Sequence, residues 1–172
     1  MKKNLMVLFA GLLIATGIST LAQAQTAEDI KNGTNNVKLL LGSTQAAVNF
    51  GVEYERRTGT FGLGAMLMHS TKNSDANKPE STTLGAFVAS HLYDQNDLDL
   101  YISPGVAVTN MDQIQTSGDD ETLFGPTLNI GATYTINPTW GVGFEYLTIY
   151  NWFSDKTADH YNFANAVLSY NF

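Results

Sequence analysis

The chain has 172 residues, a net charge of −7, 15% charged residues and no cysteine. That length suits one domain. The missing cysteines exclude disulfides, thiolate nucleophiles and Cys-ligated metals, and the acidic balance leaves no basic footprint for nucleic acid.

Residues 1–24 read as a cleaved signal peptide. Lys2 and Lys3 form a positive n-region, Leu5 to Ile18 is an apolar run broken only by small residues, and Ala22-Gln23-Ala24 is a small-x-small cleavage pattern. The run is shorter than the about 20 residues of a spanning helix. Cleavage is expected after Ala24. The mature part then holds 7 Lys+Arg against 16 Asp+Glu, a net −9, because the leader takes Lys2 and Lys3 and no acid. After residue 24 no apolar run approaches helix-spanning length. If the mature chain enters a membrane it must do so as a closed barrel, since only helices and closed barrels satisfy every backbone donor and acceptor in lipid.

Residues 25–35 are polar and read as a periplasmic lead-in, with a helical turn expected over Ala27 to Lys31. The barrel is expected over 36–172. Short alternating segments follow, divided by turn chemistry. The first strand is placed at Asn36 to Leu41. The second, Ala46 to Arg56, sets Val48, Phe50, Val52 and Tyr54 against Asn49, Gly51, Glu53 and Glu55. Arg57-Thr58-Gly59 forms a tight turn. The third strand, Thr60 to His69, alternates Phe61, Leu63, Ala65 and Leu67 with Gly62, Gly64, Met66 and Met68. A polar loop spans Ser70 to Glu80. The fourth strand, Thr82 to Tyr93, has apolar residues on both parities, so its facing stays open. After the turn at Asp94 to Asp97, the fifth strand runs Leu98 to Thr109 with Leu98, Leu100, Ile102, Val106 and Val108 in phase. Pro104 suggests a bulge there.

A second polar loop covers Asn110 to Glu121. The sixth strand, Thr122 to Ile136, sets Leu128, Ile130, Ala132 and Tyr134 against Thr127, Asn129, Gly131 and Thr133. Asn137-Pro138-Thr139 turns into a seventh strand, Trp140 to Tyr150, with Trp140, Val142, Phe144 and Tyr146 opposite Gly141, Gly143 and Glu145. A third polar loop covers Asn151 to His160. The eighth strand, Tyr161 to Phe172, has Ala164, Ala166, Leu168, Tyr170 and Phe172 in phase.

The strand count is even. Long polar loops follow the third, fifth and seventh strands, and short turns follow the second, fourth and sixth. Short periplasmic turns with longer extracellular loops are the outer-membrane pattern. The first outer connection, Gly42 to Gln45, is the short exception. The fold class is therefore all-β: an eight-stranded antiparallel transmembrane β-barrel, an up-and-down meander after a cleaved signal peptide. The row opposite the apolar one is Gly, Asn, Thr, Ser and Glu, with Met66 and Met68 as exceptions. A soluble barrel would carry far more charge on its outer face. Aromatics gather at strand ends, as in interfacial girdles: Tyr54, Phe61, Tyr134, Trp140, Tyr170 and Phe172 on the turn side, and Tyr146, Tyr150, Trp152, Phe153 and Tyr161 on the loop side.

The last strand, Asn165-Ala166-Val167-Leu168-Ser169-Tyr170-Asn171-Phe172, ends on an aromatic and resembles the terminal assembly signal of outer-membrane barrels, with Val167 where that signal has Gly. Asn165, Leu168, Tyr170 and Phe172 carry the match. The whole mature chain is similar in length, strand count and ending to the small eight-stranded Gram-negative outer-membrane proteins of OmpX type. The resemblance implies integral outer-membrane location, contact with outer-membrane lipid and lipopolysaccharide, and delivery by the barrel-assembly machinery. It singles out no subfamily.

An eight-stranded barrel is wide enough only for side chains to fill, so a polar, largely plugged interior is expected. Lys38, Glu53, Glu145 and Asn165 are the candidates for a lumen charge cluster, because buried charges persist when paired. The girdle candidates are Tyr54, Phe61, Tyr134, Trp140, Tyr146, Tyr150 and Trp152. Some outer-membrane barrels of this size modify lipid A and need a Ser, a His and a carboxylate within reach. Here His69 and Ser70 are adjacent and point to opposite faces, and His160 shares a loop with Ser154 and Asp155. A non-enzymatic envelope protein is favoured over a narrow solute channel and over such an enzyme. The acidic stretch Asp112, Asp119, Asp120 and Glu121 fits no calcium-loop spacing and reads as a solvated charge run. No metal and no cofactor are expected.

Overall fold

The computed structural model describes residues 34–44, 47–71, 80–112, 120–152 and 160–172. The leader, the polar lead-in before Thr34, and Asp119, Phe153, Ser154 and Asp155 lie outside the described residues.

Eight strands follow one another: β1 (Thr34–Thr44), β2 (Ala47–Thr58), β3 (Phe61–Ser70), β4 (Glu80–Gln95), β5 (Leu98–Asp112), β6 (Glu121–Thr135), β7 (Trp140–Tyr150) and β8 (His160–Asn171). Each pairs antiparallel with its chain neighbours, and β1 pairs with β8 to close the barrel. β1, β2, β4 and β5 are longer than the alternation alone suggests, and the other four have the expected length within a shift of one residue. β1 begins at Thr34, inside the segment expected to be lead-in, because Asn35 and Phe172 exchange both backbone hydrogen bonds and carry the β1–β8 ladder to its end.

The register defines the barrel's shape. From Leu39 the ladder passes through Val52, Leu67, Leu84 and Val108 to Phe124. In the other direction it passes through Leu168 and Val142 to Tyr134. The two arrivals are ten residues apart on β6. With a rise of about 3.3 Å per residue and strands about 4.8 Å apart, that offset tilts the strands by about 40°, within the range of closed barrels.

Alternation places the apolar row outside. Leu41, Leu63 and Leu84 are 63%, 67% and 62% exposed, while Glu53, Glu145 and Asn165 on the opposite row are 1%, 0% and 0% exposed. On β5 the outward row from Leu98 to Val108 covers about 33 Å of strand. At the barrel's tilt this is about 25 Å of height, the apolar band of an outer-membrane protein. Above it a lateral ladder of polar residues, His69, Thr82, Asn110 and Thr122, bounds the band.

Two turns show why their residues are used. Gly59 has φ 62° in the β2–β3 connection, a conformation a side chain disfavours. Asn96 and Asp97, with φ 53° and 65°, make the tight β4–β5 hairpin, and these are the residue types that tolerate it.

The register shift in this hairpin lies between His91 and Tyr93, with Leu92 as the extra residue. It does not lie at Pro104, which stays in phase opposite Leu128 on β6. The bulge also resolves the facing of β4. Above it Leu84 and Val88 point out while Gly85, Phe87 and Ala89 point in. At the bulge Ser90 and His91 are both buried, and Leu92 and Tyr93 are both exposed.

The outer band can be tested by the depth dependence of a charge. Val52→Arg, near mid-height, should destabilise by about 2–4 kcal/mol, and Ile136→Arg, at the periplasmic rim, by about 0–1 kcal/mol. Folding titrations in lipid vesicles measure both, and equal costs would contradict the placement of the band.

Candidate functional site

The interior is divided along the barrel axis. Its extracellular half holds an apolar cluster set among small buried polar groups such as Thr44, Asn49, Ser70, Thr83 and Thr109. Met68, Phe87, Ala107, Leu123, Leu147, Ile149, Tyr161 and Phe163 are buried there and pack together. Tyr161, expected on the loop-side girdle, instead points inward and stacks edge-on against Phe163 at 5.0 Å. The polar, largely plugged interior expected from the row of Gly, Asn, Thr, Ser and Glu, with Met66 and Met68 as its exceptions, is interrupted in the upper part by this cluster. Leu147, Ile149 and Phe163 share the inward parity of Glu145 and Asn165 but sit one to two turns of the pleat higher. Hydroxyl pairs are set among them: Thr83 with Thr109 at 2.8 Å, and Ser81 with Tyr161 at 3.4 Å.

At mid-height the candidate charges meet. Lys38 on β1 faces Glu53 and Glu55 on β2, at 3.4 Å and 3.7 Å, with all three buried. Its ammonium also lies 3.9 Å from the centroid of Tyr101, a favourable cation–π position. Glu145 on β7 does not pair with Lys38 directly. It accepts from Tyr101 Oη at 3.2 Å, Asn129 Nδ2 at 3.0 Å and Asn165 Nδ2 at 3.0 Å. Asn129 Nδ2 also reaches Glu53 at 3.4 Å, and Asn49 Nδ2 donates to Asn165 Oδ1. The four candidates thus belong to one network, in which Tyr101 and Asn129 join the lysine side to the Glu145 side. Tyr101 crosses the lumen because β6 offers Gly131 there; a Cβ on Gly131 would strike the ring.

Below lies a second network that sequence reasoning missed. His91 Nε2 is 2.8 Å from Glu55, and His91 Nδ1 is 2.8 Å from Asp99. Arg57 binds Asp94 at 2.7 Å and Asp99 at 3.3 Å. The chain thus staples β2, β4 and β5 at the periplasmic end. Asp99 was in principle visible, since it shares parity with Tyr101 and Ser103 on β5. His91 was not, because the one-residue bulge beside it breaks the period.

The remaining candidates lie on the outer face. Tyr54, Tyr134, Trp140, Tyr146, Tyr150 and Trp152 are exposed, Phe61 is half-exposed, and Tyr54 donates to Asn35 at 2.7 Å. Leu168, Tyr170 and Phe172 are also exposed, with Tyr170 packed 4.9 Å from Trp140. His69 lies beside Thr82 at 3.2 Å and Glu80 at 3.5 Å on the outer face, while Ser70 is buried inside. His160 opens β8 at the rim. Asp112 and Glu121 end β5 and begin β6.

A family model for the outer membrane protein beta-barrel domain matches residues 10–172. The chain belongs to this family. As an outer-membrane β-barrel protein it is integral to the outer membrane, and its exposed apolar band meets lipid. Its fold is shared with solved barrels of low sequence identity. Neisserial surface protein A is 12% identical, with a TM-score of 0.59, covering 81% of this chain and 96% of that one. A de novo designed transmembrane β-barrel is 16% identical, with a TM-score of 0.53, covering 81% and 96%. Ail, the attachment invasion locus protein of Yersinia pestis solved with the heparin analogue sucrose octasulfate, is 10% identical, with a TM-score of 0.51, covering 82% and 99%. No curated protein matches the sequence.

The interior network of this outer-membrane barrel makes a specific energetic demand. Removing one partner of a buried pair strands the other and costs about 3–5 kcal/mol. Lys38→Met should therefore destabilise more than the double change Lys38→Met with Glu53→Gln. A double-mutant cycle by unfolding titration should show coupling of at least about 1 kcal/mol for Lys38–Glu53 and less for Lys38–Glu145. Additive effects for Lys38 and Glu53 would show that they do not meet.

Proposed function

We propose that the protein is a non-enzymatic envelope protein: a rigid, plugged barrel that carries three long polar loops at the cell surface, for surface interaction or envelope integrity. The observation that carries this reading is the apolar packing of Phe87, Leu147, Ile149, Phe163 and Met68 across the extracellular half of the lumen. A conduit for hydrophilic solutes needs an open polar path, and these bulky side chains occupy the lumen there. A lipid-modifying role finds less support. Both ring nitrogens of His91 face carboxylates, which leaves none to act as a base. His69 and Ser70 lie on opposite sides of the wall.

The polyanion bound to Ail does not suggest a ligand for this chain. With 7 Lys+Arg against 16 Asp+Glu after the expected leader, a net of −9, the chain repels a sulfated sugar at long range. A partner of the loops is better sought among neutral or cationic surfaces. The aromatic rows at the two rims serve this reading as lipid-interface girdles, with the outer row beside lipopolysaccharide. The exposed ends of Leu168, Tyr170 and Phe172, with the inward Asn165, serve as the signal for the barrel-assembly machinery.

Two experiments test these points. Reconstituted in planar bilayers, the protein should show no stable unitary conductance; reproducible ohmic steps would favour the channel instead. Deleting Phe172 should reduce the heat-modifiable barrel in the membrane fraction and leave precursor or periplasmic aggregate, and unchanged levels would remove Phe172 from the assembly signal.

A further inference from the structure

The outward row of β2 carries one charge. Among the described residues the Lys and Arg are Lys38, Arg56 and Arg57. Lys38 and Arg57 lie on the inner side, held by Glu53 and Glu55 and by Asp94 and Asp99. Arg56 has the parity of Val52 and Tyr54 and is exposed on the lipid side. Its guanidinium has no partner among the described residues.

The height of Arg56 makes that exposure matter. It lies four residues below Val52 on β2, about 10 Å of height at the barrel's tilt. It therefore falls just inside the lower edge of an apolar band about 25 Å tall. Leu63, opposite it on β3, is 67% exposed to the same surroundings. A long cationic side chain at this level keeps its stem along apolar surface and turns its head toward the headgroups.

The residues beside it are arranged as donors. Asn35 stands opposite Arg56 on β1, with about 4.5–5.5 Å between Cβ atoms for such a pair. Its amide oxygen accepts from the Tyr54 hydroxyl at 2.7 Å. What the Asn35 side chain has left is its amide N–H group. A cation and an amide donor thus stand side by side on the lipid face, and the complementary ligand is an anion with several oxygens. A free anion would have to shed its water to enter this edge. A phospholipid brings its phosphate to this level with acyl chains that match the apolar wall above.

We propose that Arg56, Asn35 and Tyr54 form a site for the phosphodiester of a glycerophospholipid in the periplasmic leaflet. The guanidinium takes the phosphate through two N–H groups, the geometry for which arginine is suited. The Asn35 amide donates to a remaining oxygen, Tyr54 holds that amide in place, and the acyl chains run up the wall past Val52. This goes beyond the loop-display reading and depends only on the barrel's place in the membrane.

Arg56 and Arg57 are the only arginines of the chain, which makes the test direct. The barrel, isotopically labelled in arginine, is placed in bilayers of phosphatidylethanolamine and phosphatidylglycerol, and dephasing of each guanidinium carbon by lipid phosphorus is measured by solid-state magnetic resonance. Arg56→Gln assigns the two signals. Dephasing is expected at Arg56 and not at Arg57, which Asp94 and Asp99 engage. In maltoside micelles, dihexanoyl phosphatidylglycerol should shift the Arg56 side-chain N–H signal saturably, and inorganic phosphate at equal concentration should not. Asn35→Ala should weaken that response about fivefold, as expected for one lost hydrogen bond. Tyr54→Phe should weaken it in the same direction, both with unchanged heat-modifiability. No dephasing at Arg56 would overturn the proposal and leave the charge to water or to a neighbouring chain. An equal response to inorganic phosphate would reduce the site to a free-anion contact. A response indifferent to both Asn35→Ala and Tyr54→Phe would reduce it to a lone charge at the membrane surface; either result rejects it.

Discussion

Closure governs everything else in this molecule. In lipid each strand's backbone polar groups must be paired by its neighbours, and a sheet achieves this without loose edges only by joining β1 to β8. Closing eight strands with an offset of ten residues gives a narrow tube. Its interior has room for side chains and little else. Half of every strand's residues are then forced into a confined, water-poor space, where each polar group must find a partner. The Lys38–Glu53–Glu55 contacts, the three donors converging on Glu145 and the His91 and Arg57 staples are the answers to that demand.

The division of the interior follows from the same confinement. Dry packing and hydrogen-bonded charges are different solutions to the same filling problem, and the chain uses them at different heights. Apolar side chains close the extracellular half, where aromatic and aliphatic groups from β3 to β8 interlock. Charged and amide groups occupy the middle, where Gly131 gives way to Tyr101. Toward the periplasm the filling stops and a cavity begins.

Much of this was legible in the sequence, for identifiable reasons. A period of two survives wherever the ladder is regular, so the outward rows of β2, β3, β5 and β7 and the inward positions of Lys38, Glu53, Glu145 and Asn165 could be read from alternation. The bulge at Leu92 was hidden. One extra residue reverses the parity below it, and both parities of β4 carry apolar residues, so neither Phe87 nor His91 could be oriented. Pro104 drew attention to the wrong strand. It lacks an N–H, yet keeps its place opposite Leu128 without shifting the register. The upper filling was missed for a related reason. Leu147, Ile149 and Phe163 are apolar residues on the polar parity, and only the assembled lumen shows that they meet one another.

The apolar packing at the outer end also acts as an insulator between two histories. The loops join the barrel directly above it, whereas the buried charges lie below. Between the loop-side strand ends and the charges stand Phe87, Leu147, Ile149 and Phe163, so a charge added in a loop is separated from Lys38 and His91 by this cluster. Loop sequences are therefore free to drift under pressure from whatever the cell surface encounters, while the interior that makes the barrel foldable stays unchanged.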